Sequence, residues 1–270
     1  MFSSLQVRTF RIYWFGMFAS LIGTWIQMVA QSWLVFELTH SAFLLGLVGF
    51  LGSIPIFLFS LFGGVVADRV NKRNILIITQ AIFMLLALAL AVLTQFKVVT
   101  PKHIMFIALL NGTVMAFDAP SRQALIVELV GKKHLLNAIA LNSVSFNSSR
   151  IIGPALAGIM VAGIGMAGCF YVNAISFLAV LSALLVIKLD YTAKTNSNSS
   201  KFKDLKDGLA LIKNNRLIMS LIIMVGISSL FGASYAILMP IFADNVLHVG
   251  VKGLGVLMSA AGLGALIAAL

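Results

Sequence analysis

The chain has 270 residues, of which 60% are hydrophobic and only 10% charged, with a formal net charge of +11. A soluble domain carries about 25% charged residues, so no soluble core would hide this much apolar surface, and the composition specifies a polytopic membrane protein. The excess of positive charge would suggest nucleic acid in a soluble protein, but here it is gathered between apolar runs and calls for no nucleic acid; the single Cys169 leaves no intrachain disulfide and no Cys/His metal spacing.

A membrane-spanning helix needs roughly 20 apolar residues. Eight such segments are predicted, at 12–36, 42–67, 75–96, 103–121, 136–162, 166–188, 217–241 and 252–270. The basic N-terminal segment 1–11 leads into an apolar run too long for an ordinary signal peptide and without a small-residue cleavage site, so it reads as a retained helix. In the first span Gln27 and Gln31 are four residues apart on one face, where they line a cavity or bond to neighbouring helices.

The second and third spans are joined by Gly64-Val65-Val66-Ala67-Asp68-Arg69-Val70-Asn71-Lys72-Arg73. Gly64 has no side chain to keep a neighbouring helix away. Asp68 stands at the membrane edge, where an unpaired carboxylate is costly. Arg69, Lys72 and Arg73 are within reach as its partners or as anchors for anionic headgroups. Asn71 tolerates a positive φ better than any residue but glycine.

Asn111 lies within the fourth span, which is expected to end at Asp118-Ala119-Pro120-Ser121-Arg122, a helix breaker flanked by two charges. Asp118 has two sets of possible partners: Arg122, or Arg69 and Arg73 of the preceding loop. The second would make an ion-pair latch that opens and closes. In the fifth span Ser143, Asn147, Arg150 and Pro154 fall on one narrow helix face. A charge inside a span is a functional hypothesis by default. Arg150 is either a cation facing a polar cavity or a static group satisfied by Asn, Ser and backbone carbonyls. Gly153, Pro154 and Gly158 favour a bend and a close helix contact. A Ser/Asn/Thr/Lys-rich linker follows, then an amphipathic helix with Phe202, Leu205, Leu209 and Ile212 on one face, lying on the membrane or packed on the bundle.

The basic residues set the topology. With the N-terminus in the cytoplasm, Arg8, Arg11, the 69–73 loop, Arg122, Lys132, Lys133 and the linker cluster all lie inside, while Lys97, Lys102 and Lys252 lie outside. The expected organisation is a six-helix bundle over 1–189, a cytoplasmic linker over 190–216, and the start of a second bundle over 217–270. The sequence contains no P-loop, no HExxH pair and no GxSxG elbow, so neither ATP drive nor an enzyme activity is expected.

The loop pattern Gly-x-x-x-Asp-Arg-x-x-Lys-Arg resembles that between helices 2 and 3 of the major facilitator superfamily, with Asn71 where the family usually has glycine. Gly153-Pro154-x-x-x-Gly158 resembles the fifth-helix pattern of superfamily exporters, with its second glycine one residue later than in some versions. Phe117 to Ala124, Lys203 to Leu209 and Leu238 to Ala243 extend the resemblance to the bacterial transmembrane secretion effector branch, which contains the enterobactin exporter and macrolide-type efflux proteins. The resemblance implies an all-α major facilitator fold of two six-helix halves, in the bacterial cytoplasmic (inner) membrane. It implies export of a small molecule, drug or siderophore-like, by alternating access coupled to protons, with no cofactor. Gly64, Asp68, Arg69, Arg73, Asp118, Arg122, Gly153, Pro154 and Gly158 would then serve gating. Gln27, Gln31, Asn111, Asn147 and Arg150 would line the substrate cavity. A twelve-helix member needs about four further spans, so the sequence reads as a truncated chain; an importer of the same fold, or an inactive remnant or membrane scaffold, are the alternatives. Nothing in the sequence specifies an oligomeric state.

Overall fold

A computed structural model describes residues 3–187, 215–227 and 234–269. Every regular element among them is helical. After a short 3-10 turn at Ser3–Gln6 come α1 (Arg8–Thr39), α2 (Ala42–Arg69) and α3 (Lys72–Gln95). Pro101–Val186 then forms 86 residues of nearly unbroken helix. Straight, it would be about 130 Å long, several times the hydrocarbon thickness. Two glycines turn it back: Gly131 (φ 64°, ψ 177°) and Gly165 (φ 73°, ψ 176°). That region of backbone space is open essentially to glycine alone. The result is α4 (101–130), α5 (132–164) and α6 (166–186).

These six helices match the first six predicted spans, with one boundary corrected. The fourth helix does not end at Pro120 but runs on to the turn at Gly131. Pro120 removes one backbone bond, to the carbonyl of Ala116. The rest of this stretch stays helical because Asp118, Ser121 and Leu125 are all buried. The seventh predicted span is described as α7 (Arg216–Ile227) and α8 (Ser234–Ile241), the latter running into a π-helical turn at Phe242–Val246. The last is α9 (Gly250–Ala269). The linker from 188 and the amphipathic segment with Phe202, Leu205, Leu209 and Ile212 lie outside the described residues.

The apolar interior falls into two clusters. At one end Phe10, Tyr13, Leu76, Phe83, Leu125, Leu141, Phe177 and Leu184 join α1, α3, α4, α5 and α6. At the other end Val29, Phe36, Leu45, Leu90, Ile104 and Phe170 pack together with Leu254 and Met258 of α9. Large apolar side chains cover much of the outside, among them Phe57 of α2, 81% exposed, as a lipid-facing surface requires.

Prolines and glycines set the tightest contacts. Pro120 deprives the Ala116 carbonyl of its helical donor, and this carbonyl lies against Gly63 of α2, where a Cβ would collide with it. Pro154 does the same to the Arg150 carbonyl, and a Cβ on Gly262 of α9 would sit 3.1 Å from it. One residue on, Ser259 Oγ of α9 donates to the Ile151 carbonyl at 2.8 Å. Gly255 of α9 is equally pressed, against the Pro154 carbonyl and Gly158. At both seams a glycine on the neighbouring helix lets backbone approach backbone where a proline has interrupted the ladder.

Candidate functional site

The charged groups meet at one end of the bundle, and the α2–α3 turn is its centre. Asn71 keeps an ordinary negative φ of −59° and acts as the N-cap of α3, its Oδ1 accepting from the Arg73 backbone N–H at 3.0 Å. The residue in the usual glycine position therefore works as a cap, and no left-handed turn is needed. Gly64 has open space around its Cα; the close approach expected there occurs one residue earlier, at Gly63.

Arg73 reaches across to the end of α6. Its Nε donates to the Leu184 carbonyl at 2.6 Å and its Nη2 to the Leu185 carbonyl at 3.1 Å. A cation there satisfies carbonyls that the last helical turn leaves without donors and complements the helix dipole. Lys72 pairs with Glu128 near the end of α4 at 2.8 Å. Asp68 and Arg69 are exposed on the turn, and the Asp68 carboxylate makes no hydrogen bond or ion pair with another described residue.

Asp118 is fully buried and chooses between its possible partners: it pairs with Arg122, one turn along α4, and not with Arg69 or Arg73. Its Oδ1 also accepts from Thr79 Oγ1 at 2.8 Å and from Gln80 Nε2 at 2.7 Å, both on α3. The single Thr79 proton is shared between this carboxylate and the Leu76 carbonyl at 3.1 Å. An isolated buried carboxylate is very costly; a cation and two donors make this one tolerable and tie α3 to α4. The hydroxyls of Tyr13 and Ser121, Gln80 Oε1 and Arg122 Nε are also buried and have no hydrogen-bond partner among the described residues.

Deeper in the bundle, Gln27 of α1 accepts from Asn173 Nδ2 of α6 at 2.7 Å. Ser176 Oγ lies 3.2 Å from Asn173 Oδ1, and Gly23 packs directly on this pair. Gln27 thus joins two helices. Gln31 and Asn111 are partly buried. On α5, Asn147 Nδ2 donates back to the Ser143 carbonyl at 2.9 Å. Gly153 packs on Trp25 of α1, and Pro154 and Gly158 face α9. Arg150 is half-buried, and its guanidinium has no hydrogen bond or ion pair with another described residue. Along the face carrying Ser143, Asn147, Arg150 and Pro154, Ser143 is exposed, Asn147 and Arg150 are half-buried, and Pro154 is buried against α9.

Sequence reasoning therefore named Asp118, Arg122, Lys72, Arg73 and Arg150 but missed Thr79 and Gln80 as donors to Asp118 and Glu128 as the partner of Lys72. The polar step Thr79-Gln80 inside an apolar run was the available signal. Among the described residues no three His, Cys, Asp or Glu side chains form a metal-type group.

A family profile described as transmembrane secretion effector matches residues 1–270. The chain is also 30% identical over 260 residues to the staphyloferrin A transporter of Staphylococcus aureus (strain NCTC 8325 / PS 47), an alignment covering 94% of this chain. The chain spans 64% of the length of that relative. With an all-helical bundle and a match along its whole length, the chain belongs to the transmembrane secretion effector family of the major facilitator superfamily, a family of membrane transport proteins and not of enzymes.

Proposed function

We propose that the chain supplies the first six-helix half (1–189), the linker (190–216) and the start of the second half (217–270) of a secondary active transporter. It exports a small molecule across the bacterial cytoplasmic membrane by alternating access, driven by protons. The observation that carries this reading is the polar face of α5. There Arg150 stands half-buried, its guanidinium without a hydrogen bond or ion pair among the described residues, beside the proline–glycine seam with α9. A cation held inside a span with no carboxylate partner among the described residues suits an anionic or polar substrate. A siderophore-like molecule fits that chemistry and accords with the name of the staphylococcal relative. The seam, lined by glycines and interrupted by Pro154, is a contact able to separate and re-form. The N-terminus is assigned to the cytoplasm because the basic residues cluster at that end.

The test is efflux of a siderophore and antibiotic panel from cells expressing the chain, with and without a protonophore. Protonophore-sensitive loss of a compound from the cells is the expected result. Accumulation of the compound would make the protein an importer. No movement by a correctly inserted protein would refute transport by this chain on its own.

A further inference from the structure

The outer surface between α1 and α6 carries a groove of about 350 Å³, lined by Ile12, Phe15 and Gly16 on one helix and Ala179, Ala183 and Val186 on the other. It exists because Gly16 lets the two backbones touch: a Cβ there would sit 2.7 Å from the Ala179 carbonyl. The groove runs for about two helical turns, roughly 10 Å, and its walls are open to the surroundings, Phe15 being 56% and Val186 64% exposed. At its mouth, Arg8 lies one turn before Ile12 and Arg11 one turn before Phe15, so both fall on the groove side of α1. Both are exposed, and neither makes a hydrogen bond or ion pair with another described residue through its side chain. Among the described residues of α1 and α6 the only carboxylate is Glu37, at the far end of α1.

We propose that this groove binds one anionic phospholipid, its acyl chain lying between α1 and α6 and its phosphate held by Arg8 and Arg11. An apolar slot that faces the membrane and ends at two guanidinium groups with no carboxylate partner among the described residues matches both parts of such a molecule. Planar guanidinium groups bind phosphate oxygens in pairs. The site is separate from the α5 face and from the Asp118 cluster. It rests on the chain being membrane-embedded, and only the choice of leaflet rests on the proposed orientation.

The test is native mass spectrometry of the full chain purified in detergent and mixed with phosphatidylglycerol or phosphatidylcholine of identical acyl chains. Each basic residue near an anionic lipid contributes about a five-fold preference, so phosphatidylglycerol should be retained at least roughly ten-fold better. The double variant Arg8→Gln/Arg11→Gln should remove that preference. Ser182 also lines the α6 wall, and Ser182→Phe, which fills the groove, should weaken retention of both lipids. Lys132→Gln/Lys133→Gln, at the same end but away from the groove, should behave as wild type. Equal retention of the two lipids by wild type overturns the site, as does an unchanged preference in Arg8→Gln/Arg11→Gln or an equal loss in Lys132→Gln/Lys133→Gln. Binding in micelles depends on neither transport nor orientation. Labelling of Ser3→Cys in intact cells by a membrane-impermeant thiol reagent tests the orientation separately.

Discussion

Two arginines inside the helical bundle behave in opposite ways. Arg122 of α4 is matched: its carboxylate partner Asp118 is buried beside it and held from a second helix by Thr79 and Gln80. Arg150 of α5 is half-buried, and its guanidinium meets no carboxylate among the described residues. Burial of a charge is therefore not in itself a sign of function. A buried charge whose counter-charge is supplied by the fold can be explained by the fold alone, whereas one without a described counter-charge calls for a test of function.

The comparison can be broken most directly at the matched site. Removing one member of a buried pair typically costs about 3–5 kcal/mol, so Asp118→Ala should lower thermal stability in detergent sharply. The double variant Asp118→Leu/Arg122→Met should recover most of that loss. If the double variant is as unstable as the single one, the pair is not the unit that holds α3 to α4. At the second site, Arg150→Ala should leave insertion and melting temperature near wild type. A charge-assisted hydrogen bond is worth about 1.5–3 kcal/mol, so transport should fall by roughly ten-fold or more. Normal efflux by Arg150→Ala would remove it from the substrate path.

The two glycines at the end of α2 sharpen the same contrast. Gly63→Val meets the Ala116 carbonyl and should cost about 1–3 kcal/mol of stability through overpacking, while Gly64→Val enters open space and should cost less than about 0.5 kcal/mol; equal losses would contradict the packing of α2 on α4. The smallest effect is expected at Asp68, an exposed carboxylate whose replacement should change stability by less than about 0.5 kcal/mol. Asp68→Asn should slow cycling by about two- to five-fold and leave substrate binding unchanged. A pure binding defect would exclude a gating role.

Much of the fold was legible because the bilayer imposes its own period. Runs of about 20 apolar residues must be helices, and six of the predicted spans appear with small shifts of boundary. The exception, Pro120, was misread because proline is a local signal, while the partners that bury its flanking Asp118 and Ser121 come from distant helices. The candidate site was legible only in its charges. Arg73 was visible as a basic loop residue, yet its partners are carbonyls of Leu184 and Leu185, more than a hundred residues away, and carbonyls carry no sequence signature. Gln27 was visible as a polar residue in a span, but its bond to Asn173 depends on α1 and α6 being neighbours.

The sequence by itself determined the helical class, the positions of the spans and the basic end, since hydrophobic length and charge are properties of the chain alone. Only the tertiary structure decided that Asp118 belongs to Arg122, that Asn71 caps a helix, that Gly63 and not Gly64 makes the close contact, and that Arg150 has no ion-pair partner among the described residues. Each of these turns on which helix faces which, and that is set by the packing of small residues at a few close approaches.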